Sequence, residues 1–152
     1  MSIRGIDHIV LHVRDIEATL TFYRRLGLEV LWEEEWRRYE SHYPVLRVNE
    51  TQTIHLLTQE RSATISPANP KPGGAHLCLW WDGPASEIAA LLKQLNLTPE
   101  IGPAGRRGGQ GQGTSYYFRD PDHNLIELLT YHAPEISITP LSQEAAIDKD
   151  EA

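Results

Sequence analysis

A five-residue phrase occurs twice in this sequence, changed only at its centre. Ile54-His55-Leu56-Leu57-Thr58 returns as Ile126-Glu127-Leu128-Leu129-Thr130. Each copy is short and apolar, the pattern of a buried strand, and the second follows a turn signal, Asp120-Pro121-Asp122. Glu127 does not fit such a strand. A carboxylate between Ile126 and Leu128 is costly to bury unless it is paired, hydrogen-bonded or bound to a metal. The histidine that replaces it in the first copy is also a metal-ligating residue type.

The repeat extends beyond the phrase. Gly5 to Arg14 alternates as a strand, with Ile9, Leu11 and Val13 on one face and His8, Val10 and His12 on the other. Asp15 is an N-cap for a helix carrying Ile16, Leu20, Tyr23 and Leu26, which Gly27 ends. Strands are expected from Leu28 to Trp32, Tyr43 to Val48 and Thr51 to Thr58, the last two turning at Asn49-Glu50, while Glu33 to Arg38 reads as a solvated edge or loop. A Pro- and Gly-rich linker covers residues 59–74. The pattern then restarts with a strand from Ala75 to Trp81 and a helix opened by Pro84 that ends near Asn96. Leu97 to Ile101 is expected as a strand, Gly102 to Gly113 as a Gly-rich loop, and Thr114 to Arg119 as a strand before the closing one. Setting His8 on His76 pairs Ile9 with Leu77, Leu11 with Leu79 and Val13 with Trp81. The reading is therefore α+β: two βαβββ modules, about residues 5–58 and 75–131, within a domain of 1–132 that forms a curved mixed sheet around a concave site.

Composition narrows the function. Hydrophobic content of 40% and charged content of 23% are ordinary for a globular chain. No run approaches the roughly 18 apolar residues of a membrane span, and the first residues lack a signal-peptide pattern, so a cytoplasmic location and no membrane partner are expected. A net charge of −7 argues against nucleic acid. Much of it lies in residues 133–152, an acidic tail with little to build a core, read as an arm or a disordered segment. Cys78, the sole cysteine, excludes a disulfide within the sequence and reads as a small buried hydrophobe.

Singly, each histidine has a structural explanation. Together, His8, His76, His55 and Glu127 occupy two sets of repeat-equivalent positions, and period-two alternation can point all four away from the helix-covered face. This predicts one divalent metal ion, with Zn, Ni, Fe or Mn suited to the donors. Glu127 is in addition the candidate catalytic group, as a ligand that can move a proton. Trp80 shares a face with His76 and lines either the pocket or a core or interface. Arg106 and Arg107, in the Gly-rich stretch, are candidate anion contacts to a substrate. That stretch lacks the Walker lysine and the dinucleotide-binding spacing, and reads as a hairpin or lid. His12, His42 and His132 read as structural or surface residues.

Three motifs carry a family resemblance: Asp7-His8-Ile9-Val10-Leu11-His12-Val13, Phe22-Tyr23-Arg24-Arg25-Leu26-Gly27-Leu28, and Tyr117 through Leu128 with its Arg-Asp-Pro-Asp-His turn. Over about residues 3–132 the chain resembles the vicinal oxygen chelate superfamily, which includes glyoxalase I, bleomycin- and fosfomycin-resistance proteins, methylmalonyl-CoA epimerase and extradiol dioxygenases. The resemblance implies a homodimer, with modules exchanged between chains in some members, and a small-molecule substrate. It places the metal ligands at His8, His55, His76 and Glu127. A glycine is usual where this chain has His123, and Glu or Gln is frequent at the place of His55. The function so implied is a divalent-metal-dependent lyase or isomerase acting on a substrate chelated through neighbouring oxygens. The rivals are a non-haem iron dioxygenase using His8, His76 and Glu127, and a non-catalytic drug-binding resistance protein.

Overall fold

The computed structural model describes residues 4–41, 43–60 and 66–135. His42 and most of the acidic tail lie outside the described residues. The chain divides into two units, Met1–His76 with Arg119–Leu125, and Leu77–Phe118 with Ile126–Ala152.

In the first unit, β1 (His8–His12), α1 (Ile16–Leu26), β2 (Glu29–Leu31), α2 (Glu33–Arg37), β3 (Val45–Arg47) and β4 (Thr53–Leu57) build one sheet of order β1-β4-β3-β2. β1 runs parallel to β4 with Val10 opposite His55, while β2, β3 and β4 are antiparallel neighbours. α1 begins and ends as its sequence dictates. The Asp15 side chain accepts from the Ala18 amide, Glu17 sits in the first turn, Arg24 and Arg25 in the last, and Gly27 takes the left-handed φ of 111° that stops the helix. Its stripe of Ile16, Leu20, Tyr23 and Leu26 is buried, as are Leu11, Val13, Leu46, Ile54 and Leu56 from the strands. Each such side chain contributes about 1.5–3 kcal/mol of burial. The alternating partners His8, Val10 and His55 stay partly exposed, so one face of the sheet is core and the other is open.

The second unit contains most of β5 (His76–Trp80), then α3 (Ala85–Gln94), β6 (Ile101–Gly108) and most of β7 (Gly111–Arg119) and β8 (Leu125–Thr130), in a sheet of order β5-β8-β7-β6. That order repeats the first, so β4 with His55 and β8 with Glu127 hold the same place in their sheets. The fold is α+β, with two four-stranded mixed sheets.

Several local expectations are corrected. Glu33 to Arg37 is a short helix rather than a loop; it buries no residue and is held by ion pairs of Glu33 with Arg24 and Arg37. Leu97–Glu100 is not a strand: Pro99 removes a ladder donor, and pairing begins only with the Glu100 amide bond to the Tyr117 carbonyl at 2.7 Å. The Gly-rich stretch is mostly two paired strands, with Gly108 opposite Gly111 around a tight turn. Gly108 and Gly113 within it serve close packing. A Cβ at Gly113 would lie 2.6 Å from the Thr130 carbonyl oxygen, and one at Gly108 would collide with the Tyr131 hydroxyl. Cys78 is exposed rather than buried, because it alternates with the half-buried Leu77 and Leu79 and falls on the open face of β5.

Candidate metal centre and its surroundings

The turn that introduces β8 is fixed first. Asp120 Oδ1 accepts from the amides of Asp122 and Asn124, and Oδ2 accepts from the Asn124 side-chain amide and the Tyr23 hydroxyl, each at 2.9–3.0 Å. Asn124 Oδ1 accepts from the Ala75 amide, and Asp122 accepts from the backbone and guanidinium of Arg14. His123 takes a left-handed φ of 67°, which explains how a histidine stands where glycine fits more readily. This network holds the start of the Glu127 strand.

In the first unit the structure brings His8 and His55 together. Their rings stack at 4.2 Å with planes 6° apart, and Tyr43 stacks on the other side of His55 at 4.8 Å. Trp32 lies across this column, 6.4 Å from both Tyr43 and His55. His8 Nδ1 is 2.7 Å from Asp7 Oδ1, an orienting carboxylate that fixes Nδ1–H and leaves Nε2 to ligate. Burial, reinforced by His8, lowers the His55 pKa against the opposing pull of Asp7, favouring the neutral, lone-pair-bearing form.

In the second unit Glu127 is only 6% exposed. Its Oε1 accepts from Ser115 Oγ at 2.6 Å. Cys78 and Tyr117 also hydrogen-bond to it: burial first, then Glu127, pushes the Cys78 thiol up to about 12 and raises the Tyr117 phenol. Arg106 stands over the Tyr117 ring at 5.4 Å. Arg107 is exposed, and Trp80 is 62% exposed, in a T-shaped contact with Tyr131 at 6.0 Å. His76 opens β5 on its exposed face.

The donor types fit a divalent cation: imidazoles, one held neutral, and a buried carboxylate. Convergence is another matter. Among the described residues no group of three or more His, Cys, Asp or Glu side chains is placed to hold a metal ion. Two imidazoles in parallel planes also cannot aim in-plane lone pairs at one point, so His8 or His55 must rotate for both to bind. Cavity size does not mark the site either. A groove of about 820 Å³ lies by the start of α1, lined by Arg14, Asp15, Glu17, Trp36 and Glu60, and holds none of the candidate ligands.

Sequence reading missed Asp7, Tyr43 and Trp32 beside the histidines, and Ser115 and Tyr117 beside Glu127. Ser115 and Tyr117 alternate on β7 and could have been found by period two. The ring column depends on strand register and left no local signal.

Residues 5–128 match the model of the glyoxalase/bleomycin resistance protein/dioxygenase superfamily, and the chain belongs to that superfamily. It is similar to virulence protein STM3117 of Salmonella typhimurium, 34% identical over 132 residues, covering 86% of this chain and 87% of that protein. It is also similar to the glyoxalase domain-containing protein RDO1 of Mycosarcoma maydis, 31% identical, covering 86% and 70%. Among solved structures, the integron cassette protein VCH_CASS1 from the mobile metagenome of V. cholerae is 35% identical with a TM-score of 0.77, covering 86% and 98%. Superfamily members bind small molecules, commonly dimerise and generally use a divalent metal ion. No helix among the described residues is long and apolar enough to cross a membrane.

Proposed function

We propose that the protein is a divalent-metal-dependent lyase or isomerase whose small substrate is held through two neighbouring oxygens. The observation that carries this reading is the His8–His55 pair with Asp7 behind it, a ring pair on the open sheet face with a carboxylate fixing one tautomer. In this reading His8, His55, His76 and Glu127 are the ligands, gathered when two copies associate as a homodimer. A bound divalent ion supplies Lewis-acid polarisation of the substrate oxygens. The chain supplies the rest. Asp7 holds His8 in the tautomer that offers Nε2, and burial keeps His55 neutral. Ser115 orients the Glu127 carboxylate, which accepts and returns the substrate proton at an oxygen. Arg106 faces anionic groups of the substrate.

Metal analysis of protein purified without chelator or histidine tag tests this. One divalent ion per site is expected, lost in His8→Ala and in Glu127→Ala with the far-ultraviolet circular dichroism unchanged. Bound metal should raise the melting temperature of wild type only. Equal metal content in wild type and both variants, after exposure to excess metal, would overturn the assignment.

A further inference from the structure

Trp32 is not accounted for by the fold or by the metal ligands. It sits between β2 and α2 with φ 57° and ψ 24°, a left-handed conformation that bulky side chains rarely adopt. Core packing does not explain it, because the residue is 50% exposed. The helix it precedes is five residues long, and Trp32 makes no side-chain cap to it. What the strained backbone achieves is placement. Leu31 pairs with Val45, so Trp32 lies just past the end of the β2–β3 ladder, level with Pro44 and one residue from Tyr43. Its indole thereby crosses Tyr43 and His55 at 49° and 55°, each 6.4 Å away.

The result is a corner of flat rings. One wall is the His8–His55–Tyr43 stack and the other is the half-exposed indole. Aromatic rings engage partners at centroid separations of about 4.5–7 Å, so a molecule touching His55 is within reach of the indole. A flexible aliphatic ligand gains little from such a corner; a flat conjugated group gains stacking on one wall and an edge contact on the other. We infer that Trp32, backed by Tyr43, is the specificity-determining residue of the site, and that the substrate carries a planar conjugated group beside its pair of chelating oxygens. This rests on the function proposed above.

The test uses the full chain loaded with zinc and two probes, acetohydroxamate and benzohydroxamate. Both present two neighbouring oxygens, and they differ by a flat ring. Isothermal titration of wild type should show benzohydroxamate binding about tenfold more tightly. Trp32→Gly should bring the two affinities within about twofold, chiefly by weakening benzohydroxamate, and leave the melting temperature no lower. Trp32→Phe should keep most of the preference. An equal preference in wild type and Trp32→Gly would overturn the inference while leaving chelation standing. Failure of both probes to bind wild type would overturn the chelate reading and this inference with it. Dissociation of the dimer in Trp32→Gly with the preference intact, read by sedimentation, would assign the indole to an interface and overturn its role in the site.

Discussion

The Tyr23 hydroxyl donates to Asp120 Oδ2 at 2.9 Å, joining the middle of α1 to a turn 97 residues further along the chain. Tyr23 is fully buried, and burial first, then Asp120, raises its pKa above the ordinary tyrosine value. Tyr23→Phe keeps the ring and removes the donor, leaving Asp120 Oδ2 with Asn124 alone. A bond to a charged acceptor contributes about 1.5–3 kcal/mol, and that loss is expected in urea denaturation. The sign with pH follows from the raised value. The folded chain keeps the phenolic proton after the unfolded chain, ionising near pH 10, has lost it. The contribution is present below about pH 10 and lost as pH rises, so wild type should lose stability above that point more steeply than Tyr23→Phe.

His123 offers the opposite kind of change. Its φ of 67° suits glycine, its side chain is exposed, and the bond it makes to Arg119 comes from its carbonyl, which a substitution leaves in place. His123→Gly relieves a left-handed cost of about 1–2 kcal/mol and incurs part of it back in chain entropy. A net gain of about 0.5–1 kcal/mol is expected by thermal or chemical melting. A loss would mean that the imidazole makes a stabilising contact of its own.

His55 should titrate below an ordinary histidine, since burial and His8 both disfavour its charge. Its ring-proton shifts in metal-free protein give the midpoint, and His8→Ala should raise it. As pH falls below about 6.5, the unfolded chain takes up this proton before the folded one. The contribution to stability is therefore present above that value and diminishes through the folded midpoint. A midpoint unmoved by His8→Ala would show that burial alone sets it.

Cys78 should be sluggish although it is exposed. With its thiol at about 12, thiolate is roughly a thousandfold scarcer than for a cysteine near 9. Higher intrinsic nucleophilicity of the more basic thiolate recovers a factor of about 30. Alkylation by iodoacetamide at neutral pH should run roughly thirtyfold slower than for an unperturbed cysteine. Glu127→Gln removes the carboxylate charge, one of the three causes, and should accelerate it, with the burial contribution remaining.

The duplication was legible because its carrier is local: four of five residues agree between Ile54–Thr58 and Ile126–Thr130, and Asp15 and Gly27 mark the ends of α1 on their own. The two places reserved for His55 and Glu127 followed from that repeat. Their neighbours did not. Tyr43 meets His55 only because β3 and β4 pair with Val45 opposite His55, and sequence alone does not set that register. α2 escaped notice because it has no apolar stripe, being held by Arg37 and Arg24 on Glu33. The glycines from Gly102 to Gly113 suggested mobility, whereas at Gly113 the missing side chain admits the Thr130 carbonyl. Composition says that a residue is small; it does not say what comes close to it.

The backbone at Trp32 has a consequence on an evolutionary timescale. A tryptophan codon is one nucleotide from a glycine codon, and glycine would relax the left-handed conformation at this position. Change governed by stability alone would therefore tend to erase the indole, since one of its single-nucleotide mutations is also a relieving one. Among descendants of this sequence, lineages that keep tryptophan at position 32 should be those still exposed to its ligand, and glycine should appear there early wherever that ligand is gone.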